Sequence, residues 1–188
     1  MLFLRIDYTS RPASVCYNGQ PQTSRIQILP MKKLMRLFLI FLLLPMLSQA
    51  NSNDDINKIL QQQKPPEGVV FEIVSGDPDF LKRAIPLVKQ HISSLREKFP
   101  GLSIAVVTHG DEQFALTKKN QGQYRQLHNE IVSLRQDADV PVHVCGAYAS
   151  WKNVSPEEFP DYVDVSATGP AEIRQYQEFG FKKIMISD

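Results

Sequence analysis

The sequence predicts an α/β domain: a three-layer α/β/α sandwich around a mainly parallel sheet of about five strands. Three observations predict it. From Gly68 onward, short apolar runs rich in Val and Ile alternate with longer stretches whose apolar residues recur every three or four positions. Glycine, proline and capping residues punctuate the boundaries between them. Strands separated by helices form βαβ units, whose right-handed crossovers require a parallel sheet covered on both faces.

Each element follows in order. Val69 to Val74, "VVFEIV", reads as the first strand. In "SGDPDF", Asp77 stands as an N-cap with Pro78 at the first helical position. The helix that follows buries Leu81, Ile85, Val88, Ile92 and Leu95. Pro86 lies inside it and is expected to kink it or delay its start. Phe99-Pro100-Gly101 ends it, and Leu102 to His109 forms the second strand. Gly110 to Asn120 reads as a loop or a short helical turn. The next helix places Tyr124, Leu127, Ile131 and Leu134 on one face.

Val140 to Cys145, "VPVHVC", is the third strand. Ser155-Pro156-Glu157-Glu158 is a capping box that opens a short helix stopped by Pro160. "YVDVS" is a short fourth strand. Gly169-Pro170 starts the helix "AEIRQYQEF", which Gly180 closes, and "FKKIMIS" is the last strand. The succession is doubly wound in the flavodoxin manner, with ligands expected outside the carboxyl ends of the strands.

Upstream of this domain the chain divides into three parts. From Met31, Lys32, Lys33 and Arg36 precede an apolar run, Leu37 to Leu47, and then Ser48-Gln49-Ala50. That is the layout of a secretory signal peptide over residues 31–50, cleaved before Asn51 into an exported, periplasmic chain. The run is short for a membrane span, which takes about 20 residues, although an uncleaved anchor is the alternative. Residues 1–30 show no period and read as a non-native segment upstream of the true start. Residues 51–67 read as a polar tether with weak helical character at Ile56 to Leu60, ahead of the domain at 68–188.

Composition excludes some functions. Hydrophobic content of 43% with 22% charged residues is ordinary for a globular chain. The net charge is +1 for the full chain, and loss of residues 1–50, with six basic residues and one acidic, leaves −4. Neither value supports nucleic-acid binding. No CxxC, HExxH or HxH spacing suggests a metal, and no GxGxxG or P-loop follows any strand. No cofactor is expected, nor any stable membrane anchor after cleavage.

The chemistry-bearing residues gather where the topology places ligands. Ser75-Gly76-Asp77, His109-Gly110-Asp111 and Cys145-Gly146 follow strands one, two and three, so a parallel sheet puts them on one rim. The exported chain would hold one cysteine, because Cys16 precedes the cleavage site. Cys145 therefore has no internal disulfide partner: it is a small core residue, an intermolecular bridge or a reactive thiol. His143 lies two residues before it on the same strand face. His109 and His143 are candidate partners for a thiolate. Gly110 and Gly146 would let backbone N–H donors approach closely.

At these residues the chain resembles the DsrE/DsrF-like sulfur-relay family, especially its small exported members. The likeness lies in the order of "VHVC", "SPEEFPDYVDV", "GPAEI" and "QEFGFKKI", with "VVTHG" at the second strand end, over about Gly68 to Ser187. The resemblance implies a flavodoxin-like fold and assembly into trimers or hexamers. It also implies that Cys145 carries a persulfide between a sulfur donor and an acceptor, either a protein or a small thiol. The alternative is an oligomeric binding or scaffold module in which Cys145 is inert.

Overall fold

A computed structural model describes residues 52–188. The upstream segment 1–30, the signal peptide 31–50, its cleavage site and Cys16 lie outside the described residues. Five strands form one parallel sheet: β1 Gly68–Val74, β2 Ser103–Thr108, β3 Val142–Cys145, β4 Asp164–Ser166 and β5 Phe181–Ser187. Their order across the sheet is β4-β3-β2-β1-β5. Around it lie α1 Ser52–Leu60, α2 Leu81–Lys98, α3 Arg125–Gln136, α4 Gly146–Trp151 and α5 Gly169–Glu178. This is the expected flavodoxin-like α/β sandwich.

The topology explains how the faces are covered. From β1 to β4 the chain steps steadily across the sheet, so its right-handed crossovers lie on one face. The return from β4 to the far edge runs the other way and carries α5 over the second face. Side-chain alternation agrees. Val69, Phe71, Ile73, Ile104, Val106, Val142, Val144, Ile184 and Ile186 belong to the large core on the first face. Val70, Ala105 and Val107 pack instead with Ile173 of α5, flanked by Tyr176 and Phe181. One helix is about 10 Å wide and five strands span roughly 20 Å, so α5 covers only part of its face. Glu72, His109, His143, Cys145 and Lys183 alternate onto this second face.

Three elements differ from expectation. Residues 51–67 are not simply a polar tether: α1 occupies Ser52–Leu60, and its buried Ile56 and Ile59 join the main core. The Asp77 carboxylate does accept the Asp79 N–H at 2.9 Å, but it caps a single turn, and α2 proper starts at Leu81. Pro86 sits within α2 without ending it. Pro86 and Lys82 are both exposed, so the carbonyl that lacks a donor four residues back can bond water. Finally, α4 begins directly after Cys145. Six residues are too few to show a helical period, and cysteine is not among the usual capping residues. Among the described residues, no helix is long and apolar enough to cross a membrane.

Candidate functional site

Cys145 ends β3 and is the N-cap of α4, with φ −83° and ψ 105°. Its Sγ accepts the N–H of Tyr148 at 3.4 Å, as a capping oxygen would. The residue is 5% exposed, and its thiol is free. Gln113, fully buried on the 3₁₀ turn Asp111–Leu116, grips its backbone. Gln113 Oε1 accepts the Cys145 N–H at 2.8 Å, and Nε2 donates to the Cys145 carbonyl at 3.4 Å.

The two residues before Gln113 bind the rest of the rim. Glu112 is fully buried, and its carboxylate accepts three donors: the Ser75 N–H at 2.8 Å, the Gly110 N–H at 2.9 Å and the Thr108 hydroxyl. This ties the end of β1 to the end of β2. Asp111 accepts the Tyr148 hydroxyl at 2.7 Å and pairs with Lys152 at 3.1 Å. The tyrosine hydroxyl and then the ammonium hold the Asp111 carboxyl below its ordinary range, and Asp111 in turn raises the Tyr148 phenol. Ser75 closes the third rim segment: its hydroxyl donates to Asp188 at 2.7 Å and accepts the Asp77 N–H at 2.8 Å.

Neither candidate histidine reaches the sulfur. His109 Nε2 lies 2.9 Å from Glu72 Oε1, and Lys183 Nζ lies 2.6 Å from the other oxygen of that carboxylate. The hydrogen bond with His109, followed by Lys183, holds the Glu72 carboxyl below its usual range against the opposing effect of burial. His143 is engaged at both ring nitrogens. Nε2 meets the Tyr176 hydroxyl at 3.0 Å, and Nδ1 meets the Ser166 hydroxyl at 3.2 Å. Burial pushes its pKa down, opposed by Glu172 and Asp164, so it is neutral at pH 7.

The candidate glycines sit tightly against neighbouring backbone. The Gly110 N–H goes to Glu112, and a Cβ on this residue would lie 2.3 Å from the Ser75 carbonyl. A Cβ on Gly146 would lie 2.8 Å from the Ser166 carbonyl. Both glycines permit close backbone packing at the rim. The N–H that meets Sγ comes from Tyr148.

The aromatic residues around the rim divide. Phe159 is buried, and Tyr162 packs edge-on against His128, whose Nδ1 meets the Tyr162 hydroxyl at 2.5 Å. Both therefore serve the fold. Trp151, at the end of α4, touches Tyr148 edge-on yet is 75% exposed. Among the described residues no group of His, Cys, Asp and Glu is arranged to hold a metal ion. A cavity of about 500 Å³ opens beside β5, with Phe80, Arg83, Leu87, Met185 and Asp188 in its lining, and none of the candidate residues lines it.

Sequence reasoning missed Glu112, Gln113 and Glu72. Glu72 carried a visible signal, a carboxylate inside the apolar run of a central strand. Glu112 and Gln113 carried none, since polar residues in a loop ordinarily face water.

Comparisons with protein families and with curated proteins find no match to the chain. Solved structures do match. A protein of unknown function from Methanobacterium thermoautotrophicum aligns with a TM-score of 0.50 at 20% identity, over 63% of this chain and 97% of its own. The ychN protein of E. coli aligns at 0.47 and 17% identity, over 64% and 99%. A conserved protein of unknown function from Bacteroides thetaiotaomicron aligns at 0.43 and 13%, over 62% and 94%. The first of these likenesses shows the fold.

Proposed function

We propose that this chain is a sulfur carrier of the DsrE/DsrF-like kind, in which Cys145 accepts and passes on a sulfane sulfur. The observation that carries the reading is the placement of Sγ at the carboxyl end of a parallel strand, with the Tyr148 N–H 3.4 Å away. A backbone donor favours the anionic form of the group that accepts it, and the thiolate is the nucleophile. In the loading step the Cys145 thiolate attacks the outer sulfur of a donor persulfide, R–S–SH. The inner sulfur leaves as R–S⁻ with the electron pair of the broken bond, and Cys145 becomes the persulfide. In unloading, an acceptor thiolate attacks that outer sulfur and the Cys145 thiolate leaves. Electrons balance in each step, so no redox cofactor is required.

With both imidazoles engaged elsewhere, the thiolate in this reading relies on the Tyr148 N–H, and His109 and His143 hold the second face of the sheet. We further propose that the chain is exported after cleavage before Asn51 and works as a cyclic homo-oligomer. The exposed Trp151, next to the rim, is the contact on offer.

A second reading has an observation in its favour. Cys145 is buried, as a packed small residue would be, and the module would then be an inert oligomeric scaffold. Alkylation of the folded protein across pH separates the two. A carrier thiol reacts in the native state. A scaffold thiol reacts only once denaturant opens the domain.

A further inference from the structure

We propose that Gln113 is a positioning residue for the Cys145 thiol: its side-chain amide fixes the backbone from which Sγ reaches the Tyr148 N–H. The inference rests on the reading of Cys145 as the reactive group. Pairing between β2 and β3 ends at Thr108 and Val144, one residue before Cys145. On that side the last residue of β3 has no strand neighbour, because the chain turns away at Gly110. Gln113 supplies what a strand would, an acceptor at 2.8 Å and a donor at 3.4 Å. A planar side-chain amide offers one of each side by side, and asparagine is a methylene shorter. A buried amide is costly unless both ends are bonded, and here both bonds go to one residue. That residue is the N-cap whose sulfur must point along α4.

No charge competes for this role. The titratable groups on the surrounding elements include Asp111, Glu112, His109, His143, the Tyr148 hydroxyl, Lys152, Asp164 and Glu172. Each is bonded or paired elsewhere, and none makes a hydrogen bond or an ion pair with Sγ. The polar contact at the sulfur is a backbone N–H, whose aim depends on the Cys145 dihedral angles.

The test is the pH–rate profile for iodoacetamide alkylation of Cys145 in the whole chain and in two variants. Gln113→Met keeps the length and loses both bonds. Gln113→Asn keeps the neutral amide but, a methylene shorter, reaches neither backbone group. The expected result in both variants is an upward shift of the profile midpoint, read as alkylation at least about threefold slower below the midpoint. Loosening of the rim alone would raise the limiting rate at high pH and leave the midpoint in place, and that result overturns the assignment. Circular dichroism establishes folding. If Gln113→Met is unfolded, Gln113→Asn decides, and if neither folds, Gln113 is a structural residue and the proposal falls. Sulfur uptake from polysulfide, read on the same wild-type sample, separates the two claims. A shifted midpoint without uptake sinks the carrier reading and keeps Gln113, whereas uptake with an unmoved midpoint does the reverse.

Discussion

Glu112→Gln is the substitution whose cost the structure lets one work out. The carboxylate is fully buried, and both of its oxygens accept. Oε1 takes the Gly110 N–H and the Thr108 hydroxyl, and Oε2 takes the Ser75 N–H at 2.8 Å. Glutamine has the same shape but one oxygen. If that oxygen keeps the Oε1 position, the amide NH2 faces the Ser75 N–H, donor against donor. A buried N–H left without an acceptor costs about 1–3 kcal/mol. The remaining bonds also lose their charge assistance, which makes such bonds roughly twice as strong as neutral ones. Relief from burying a charge offsets part of this. The expected loss is about 2–4 kcal/mol. With a urea m value of about 2 kcal/mol/M, the unfolding midpoint falls by about 1–2 M. Thr108→Val is the control: it removes one donor, leaves no N–H orphaned, and should cost about 1 kcal/mol. Equilibrium urea unfolding at neutral pH measures both. A change below about 0.5 kcal/mol for Glu112→Gln would refute the rim tie.

His91 is buried against Phe71, its Nε2 has no hydrogen-bond partner, and burial lowers its pKa. His91→Met should therefore raise stability by about 1 kcal/mol at pH 7. Because its folded-state pKa lies below the unfolded value near 6.5, the wild-type chain loses stability as pH falls below that value, by up to about 1.4 kcal/mol per pH unit for this proton. His128 and His143 shift in the same direction, so thermal melts at stepped pH should show a shallower acid limb in His91→Met, though not a flat one. An unchanged limb would mean that His91 is not buried neutral. For assembly, light scattering at micromolar concentration should give a trimer or a hexamer. Trp151→Ser should weaken it by about 2 kcal/mol, roughly thirtyfold in dissociation constant. A wild-type monomer would end the oligomer proposal.

The parallel sheet was legible because its signal is redundant: the inner strands are apolar runs, and many boundaries carry a glycine, a proline or a cap. Gly180 illustrates this, since it closes α5 at φ +86°, where a side chain would be strained. The rim positions were legible for the same reason, since topology alone sends His109 and Cys145 to the strand ends. The bonding at the rim was not. His109 lies close to Cys145 in any list of strand ends, yet its ring nitrogen goes to Glu72 across the sheet, a pairing that depends on strand order. Gln113 approaches Cys145 across 32 residues of sequence, and nothing local marks it. The helix α4 was hidden by its brevity, and with it the fact that the cysteine is a cap.

The most direct test of the carrier reading is the intact mass of the folded protein after exposure to polysulfide, followed by a small thiol. The account predicts that one sulfur atom is added at Cys145 and located there by peptide fragmentation, that the thiol removes it, and that Cys145→Ser takes up none while folding normally. Cys145 left unmodified in the folded state, and labelled only in denaturant, would contradict the account and make it a packed core residue.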